Sequence, residues 1–293
     1  MPLIKRKNCP ICDSRKFSQI FVKKYTDQKL VSFLNKHFNN NLPLKLLKNK
    51  LFVVNECSIC KVLFQKFIFN ERFHKKLYEK FVVEEISKNK KKEFSTNNFQ
   101  TYLNELRAIE KILKKKPKSI KILEIGAGWG LWSSLAKACN FNVEAIEISL
   151  TRIKHMRKNN ITVHSNLKKI KNRKFDVIYM DQTFEHIQSP YSLLKKLKFI
   201  LNKGGLFIVK VPSGISTKKK LNYNYEFKDD ELIPLEHINT YNYKTFNFIS
   251  KKFDLKFIFT FSKHQFFSIW YYKDLIKNIL NYFTNKNIIF KKN

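Results

Sequence analysis

A chain of 293 residues, 43% of them apolar and 28 of them Phe, can bury one α/β core plus an appended module, which excludes a globally disordered protein. The 58 Lys+Arg against 23 Asp+Glu, a formal charge of +35, point to a polyanionic partner such as nucleic acid or an anionic membrane. The dominance of Lys over Arg, with abundant Asn, Ile and Phe, fits compositional drift toward A/T-rich codons better, because nucleic-acid readers lean on Arg.

The chain begins Met1-Pro2-Leu3-Ile4-Lys5, without the apolar core of a signal peptide, and no run nears the roughly 20 apolar residues that span a bilayer. The expected setting is cytoplasmic, where disulfides are unusual. Four of the five cysteines stand in two Cys-x-x-Cys pairs, Cys9/Cys12 and Cys57/Cys60, with Cys139 to spare. Each pair lies beside a short apolar segment, Phe17 to Val22 and Leu51 to Val54. That is the layout of a zinc ribbon over residues 1–70, with four thiolates on one structural ion, since four sulfurs leave no open position for water. Leu30, Val31, Phe33, Leu34 and Phe38 recur at helical spacing, so a helix is inserted between the pairs.

Residues 71–118 read as a charged helical linker, with Lys88 to Lys92 as a solvated joint and Pro117 as its end. Apolar runs at Ile120 to Ile125, Val143 to Ile148, Phe175 to Met180 and Leu206 to Val211 then alternate with helical stretches Leu131 to Ala138, Thr151 to Lys158 and Ser192 to Leu201. The alternation predicts an α/β, Rossmann-like, mostly parallel sheet with helices on both faces over residues 119–272. Phe253 to Thr260 and Gln265 to Tyr272 would close it as an antiparallel pair. Residues 273–293 read as a basic amphipathic helix, packed on the domain or in peripheral contact with a membrane.

The segment LEIGAGWGLWSSLA ends a strand at Ile125 and places Gly126, Gly128 and Gly130 before a helix. Glycines there allow a tight turn and close approach of a ligand to the helix amino-terminus. Glu147 ends the next strand, where a carboxylate accepts hydrogen bonds from both ribose hydroxyls of a nucleoside cofactor. A nicotinamide dehydrogenase is the rival for this pair of features, but its GxGxxG spacing differs from glycines two apart.

Together with FDVIYMDQTFEHIQSP, LLKKLKFILNKGGLFIVKVPS and EHINTYNYKTFNFISKKFDLKFI, these segments make the chain resemble the class I S-adenosylmethionine-dependent methyltransferases, in a branch with an amino-terminal zinc-binding segment. The resemblance implies that Glu124, Gly126, Gly128 and Gly130 surround the methionine part of S-adenosyl-L-methionine, that Glu147 holds the ribose, and that Asp181 and Gln182 lie beside the sulfonium and substrate. Where relatives place an Asp near the adenine amine this chain has Asn166, whose side-chain oxygen can still accept. Relatives also carry Gly after the second cysteine of each knuckle. Here Asp13 and Lys61 stand there, and Lys takes a left-handed backbone only at some cost.

Methyl transfer to a hydroxyl or amine needs a proton acceptor, and His186 and His237, each in a Glu-His-Ile triplet, are the candidates. For His186 the competing role is to cap or pack the following helix. Residues 213–239, read without helix or strand, would overhang the methyl group, with Tyr223 and Tyr225 stacking on a sugar or base and Glu236 orienting the acceptor. The resemblance implies a small-molecule or saccharide acceptor, a nucleotide-sugar or surface polysaccharide, methylated on oxygen. An RNA methyltransferase, suggested by the charge, and a non-catalytic scaffold keeping the cofactor fold are the alternatives.

Overall fold

The computed structural model describes residues 2–82, 96–170, 173–214, 216–221, 225–228, 231–261 and 266–272. In chain order its strands are β1 (Leu3–Lys5), β2 (Phe17–Lys24), β3 (Leu51–Cys57), β4 (Leu63–Gln65), β5 (Phe67–Phe69), β6 (Lys121–Ile125), β7 (Asn142–Ile146), β8 (Thr162–His164), β9 (Phe175–Asp181), β10 (Leu201–Pro212), β11 (Asn239–Thr240), β12 (Lys256–Phe261) and β13 (Phe266–Tyr272). The helices are α1 (Gln28–His37), α2 (Glu71–Lys76), α3 (Thr96–Leu113), α4 (Leu131–Ala138), α5 (Leu150–Lys158), α6 (Pro190–Ile200), α7 (Thr217–Lys220) and α8 (Tyr243–Phe253). They gather into two compact units. The cysteine unit takes Met1–Asn89, Phe184–Ser192 and Pro212–Ile249, and the glycine unit takes Lys90–Thr183, Leu193–Val211 and Ser250–Asn293.

The glycine unit holds one sheet in the order β12-β13-β10-β9-β6-β7-β8. Neighbours from β10 to β8 run parallel, and β12 and β13 pair antiparallel, as the alternation and the late apolar pair predict. Phe175 to Met180 are buried without a break, the pattern of a strand covered on both faces. One cover is α3, whose Leu106, Ile109 and Ile112 join Ile120, Trp132, Val177 and Ile208 in a single core. Another is α5, whose Ile153 and Met156 pack with Ala127, Ala145 and Val163. Strand order reverses between β6 and β9, and it is beyond the carboxyl ends of strands at such a reversal that sheets of this kind bind ligands.

Two boundaries differ from the sequence reading for visible reasons. β7 stops at Ile146 instead of Ile148 because the Glu147 carboxylate takes the N–H groups of Ile148 and Ser149, at 2.8 and 2.9 Å, and Ser149 then caps α5. β10 begins at Leu201, with its register to β9 shifting between Leu201 and Leu206, where Gly204 takes a positive φ of 72°.

In the cysteine unit β2, β3, β4 and β11 form an antiparallel sheet, and β1 pairs with β5. The two apolar segments beside the cysteines become β2 and β3, paired from Phe17 opposite Cys57 to Lys24 opposite Leu51. The inserted helix is α1, capped by Asp27, which accepts the Leu30 N–H at 3.1 Å. Its Leu30 and Leu34 pack with Phe38, Phe52, Leu77 and Leu235. The expected linker begins as α2 and one wide turn, Leu77–Phe81. Both the Lys88 to Lys92 joint and the expected helix over 273–293 lie outside the described residues.

Residues 213–239 correct the sequence reading. They contain α7, held where the Thr217 hydroxyl donates to Glu231 at 2.7 Å. Tyr225 is 5% exposed, edge-on to Phe21 and Phe227 at ring separations of 5.6 and 5.1 Å. It is a core residue of this unit and no stacking platform; Tyr223 lies outside the described residues.

Candidate cofactor and metal sites

In the glycine unit the loop after β6 turns through three left-handed glycines, Gly126, Gly128 and Gly130, with φ of 75°, 58° and 74°. At Gly126 a Cβ would stand 2.2 Å from the Thr183 hydroxyl oxygen, so space and backbone conformation both demand glycine. The loop is closed by Glu147, 5% exposed, whose Oε2 accepts the Gly128 N–H at 2.8 Å while Oε1 accepts those of Ile148 and Ser149. A carboxylate has about four acceptor positions, so one remains on Oε2 for a ribose hydroxyl. Holding both hydroxyls requires the Gly128 N–H to share its acceptor. Glu124, also buried, accepts from the Ser133 hydroxyl of α4. These residues fit a nucleoside cofactor carrying a cationic tail.

Asn166 spends its Oδ1 on the Lys168 N–H at 3.0 Å and is exposed, leaving one lone pair for an adenine amine. Gln182 is left-handed, φ 49°, with its N–H on the Lys210 carbonyl at 2.9 Å. Asp181 ends β9 in a polar cluster that sequence reasoning missed. Its Oδ2 lies 2.9 Å from the Lys210 ammonium and 3.3 and 3.5 Å from the Tyr179 and Tyr102 hydroxyls. Lys210 also meets Glu105 at 2.9 Å, which accepts from Tyr179 and from the Trp132 ring nitrogen at 2.8 and 3.2 Å. Burial alone would lower the Lys210 ammonium, but Asp181 and Glu105 hold it well above the usual lysine range. Two carboxylates against one ammonium leave the cluster with a net negative charge, suited to a neighbouring cation. The signal was Lys210 itself, which interrupts the apolar run of β10.

In the cysteine unit Cys9, Cys12, Cys57 and Cys60 come together, all four sulfurs within 4.8 Å of one another. Cys9 and Cys60 are 3.4 Å apart, Cys12 and Cys57 3.5 Å. A tetrahedral zinc ion roughly 2.3 Å from each sulfur spaces the sulfurs about 3.8 Å apart, inside the 4.8 Å that bounds the cluster, so the four sulfurs fit one ion after small adjustments. Hydrogen bonds from Cys60 and Cys9 hold the Cys57 thiol far below its ordinary range, while bonding to Cys57 and Cys9, and then burial, push Cys60 up. Ionising all four needs a central cation. The knuckles are matched: Asp13 and Lys61 donate their N–H groups to the Cys9 and Cys57 carbonyls at 3.0 and 3.1 Å. Both residues are left-handed, φ 62° and 60°.

The same unit brings the two Glu-His-Ile triplets together. The His186 and His237 rings are 4.9 Å apart, and with Glu185 they place two imidazole nitrogens and a carboxylate oxygen within 4.8 Å. His186 Nδ1 donates to the Glu236 carbonyl at 2.9 Å, and its Nε2 lies 3.9 Å from Glu185. His74 Nε2 donates to the His186 carbonyl at 3.1 Å. Burial and then the neighbouring His186 lower His74 to about 4. Glu236, expected to orient an acceptor, is bound to His37 at 2.6 Å. Burial would raise its carboxyl, but the His37 hydrogen bond and the charges of His186 and His237 bring it to about 2.

A family model described as a methyltransferase domain matches residues 97–258. Among curated relatives, malonyl-[acyl-carrier protein] O-methyltransferase 2 of Ilyobacter polytropus is 35% identical over 97 residues, 30% of this chain and 37% of that protein. Ribosomal RNA large subunit methyltransferase E of Wolbachia sp. subsp. Brugia malayi is 30% identical over 117 residues, 35% of this chain and 54% of that protein. The chain thus spans between a third and somewhat over half the length of these relatives. Among solved structures, the plantazolicin methyltransferase BpumL in complex with SAH is 16% identical, with a TM-score of 0.53 over 70% of this chain and 95% of that one, a likeness of fold.

Proposed function

We propose an acceptor for this chain, which belongs to the methyltransferase domain family and carries a domain of the S-adenosylmethionine-dependent class: a small molecule or saccharide, of the nucleotide-sugar or surface-polysaccharide kind, methylated on oxygen. The observation that carries the reading is the imidazole pair. A hydroxyl is a weak nucleophile until its proton has somewhere to go, and His237 is the first candidate to take it, with His186 as the second. Glu185, beside His186 Nε2, would stabilise the imidazolium that forms.

S-adenosyl-L-methionine supplies an electrophilic methyl group on a sulfonium. Glu147 would hold its ribose, Glu124 and the three glycines its methionine portion, Asn166 its adenine, and Asp181 with Gln182 the neighbourhood of the sulfonium. Displacement at a methyl group asks mainly for alignment of nucleophile and methyl group. The four cysteines would hold one structural zinc ion. In chain order the reading keeps a zinc-ribbon-like module over 1–70, a helical linker over 71–118, the catalytic domain over 119–272 and a basic tail over 273–293, in a cytoplasmic protein. Among the described residues no helix is long and apolar enough to cross a membrane.

His237→Ala is expected to leave S-adenosylmethionine affinity unchanged and to lower transfer of labelled methyl groups into a cell-extract acceptor by roughly 10²-fold, the scale of losing a general base. Undiminished transfer would remove His237 from the mechanism and pass the role to His186. RNA as acceptor is the second reading, favoured by the likeness to an RNA methyltransferase. Against it stands Asp181-Gln182-Thr183-Phe184 where enzymes acting on planar base amines carry Asn/Asp-Pro-Pro-Tyr/Phe. Label recovered in RNA instead of small molecules or glycans would establish it, and label in no acceptor would leave the scaffold reading.

A further inference from the structure

The residues flanking the two cysteine knuckles are the same residues that hold the two histidine triplets. Three positions before Cys9, Arg6 is 8% exposed, and its guanidinium donates to the Ile238 carbonyl at 3.1 Å, the Asn239 side-chain oxygen at 2.8 Å and the Gln188 carbonyl at 3.1 Å. Asn239 in turn donates to the Ile187 carbonyl at 2.7 Å. Arg6 therefore ties the segment carrying Glu185-His186 to the segment carrying Glu236-His237. Inside the first knuckle, the Pro10 carbonyl accepts the Tyr191 N–H at 3.1 Å.

The second knuckle does the same from the other side. Five positions after Cys60, Gln65 is fully buried. Its side-chain nitrogen donates to the Ile233 and His237 carbonyls, both at 2.9 Å, and its oxygen accepts the Leu235 N–H at 2.9 Å. The Lys61 carbonyl, directly after Cys60, accepts from Asn242 at 2.8 Å, and β4 pairs with β11 immediately beyond His237. A buried amide that satisfies three backbone groups of one loop holds it in a single arrangement, because any other leaves those groups unbonded away from water.

We infer that the cysteine cluster is an anchor for the His186–His237 pair, with Arg6 and Gln65 as the positioning residues that transmit it. The metal would fix the knuckles, the knuckles fix the direction of Arg6 and Gln65, and these fix two segments separated by some fifty residues of chain so that the imidazoles face each other. The consequence for catalysis rests on the base reading proposed above. The anchoring itself does not, and it can be measured without an acceptor.

The test is hydrogen–deuterium exchange on the full, zinc-loaded chain and on Gln65→Met and Arg6→Met, with the His186 tautomer read from long-range proton–nitrogen couplings. Gln65→Met is expected to speed exchange of the 231–241 peptide by roughly tenfold or more, the scale of losing several net hydrogen bonds, and Arg6→Met to do so for both 184–192 and 231–241. Peptides covering 121–147 should not change. Arg6→Met should also turn the single Nδ1-protonated form of His186 into a mixture, which Arg6→Lys partly restores. Should either variant fail to fold, stripping the metal from the wild type with a strong chelator is expected to speed exchange in the same two segments. Unchanged exchange there after metal removal, or an equal rise in 121–147, would overturn the inference. Loss of transfer in His237→Ala with normal exchange would leave the anchor standing, and normal transfer in that variant with anchor-dependent exchange would fault the base reading alone.

Discussion

The two units reach a preorganised site by opposite routes. In the glycine unit the groups proposed to hold the ribose and methionine portions of the cofactor come from one strand-turn-helix and the end of the next strand, and backbone conformation does most of the positioning. Three left-handed glycines and three N–H groups on Glu147 set the geometry within about twenty residues of sequence. In the cysteine unit the equivalent task is done by side chains across separations of 172 to 232 residues, Arg6 to Gln188 and Ile238, and Gln65 to His237. A local site tolerates change elsewhere but not at its glycines. A long-range site depends on every buried side chain that spans it.

The sharpest way to break the comparison is Gly126→Ala. The added Cβ meets the Thr183 side chain at 2.2 Å in a backbone conformation that L residues disfavour, so S-adenosylhomocysteine affinity measured by calorimetry should fall by more than about 10²-fold. Adding Thr183→Gly relieves the collision but not the conformation and should recover only part of the loss. Full recovery would mean that the left-handed turn matters less than the space.

A smaller effect sharpens the other side. His74 and Glu236 both have folded-state values below their ordinary ones, about 4 against 6.5 and about 2 against 4.5. Groups depressed by folding contribute stability that is present above the unfolded value and lost as pH falls through the folded one. The cysteine unit should therefore weaken from about pH 6.5 downward as His74 charges, and again below about 4.5 as Glu236 is neutralised. Replacing His74 by Gln, which can still donate to the His186 carbonyl, should remove on the order of 2 kcal/mol of the loss between pH 6.5 and 4. Urea midpoints of the full chain against pH would show it, and an unchanged slope would mean that His74 is more hydrated than its partners imply.

What the sequence made legible follows the same division. Strand and helix alternation, the glycine turn and the acid just past β7 are local patterns, and β6, α4, β7, α5 and β9 form in the order those patterns predict, with β7 two residues shorter. The paired knuckles were legible too, from the Cys-x-x-Cys spacing, while the left-handed positions that Asp13 and Lys61 take were implied by the resemblance. Hidden were the contacts that only tertiary packing creates. Tyr225 looked like an aromatic offered to a ligand in a polar stretch, yet its neighbours Phe21 and Phe227 make it core. Glu236 looked free, yet His37, two hundred residues away, claims it. Lys210 reads in sequence as a break in a strand, and only its register opposite Asp181 reveals the charge cluster.

The most direct test of the central claim, that the glycine unit is built to hold a nucleoside sulfonium cofactor through Glu147, is calorimetric titration of the zinc-loaded chain with S-adenosylmethionine. The expected result is saturable binding to a single site, weakened roughly 10- to 100-fold in Glu147→Ala, the scale of losing charge-assisted hydrogen bonds to the ribose. Absence of binding to the wild type, or equal affinity in the variant, would contradict it.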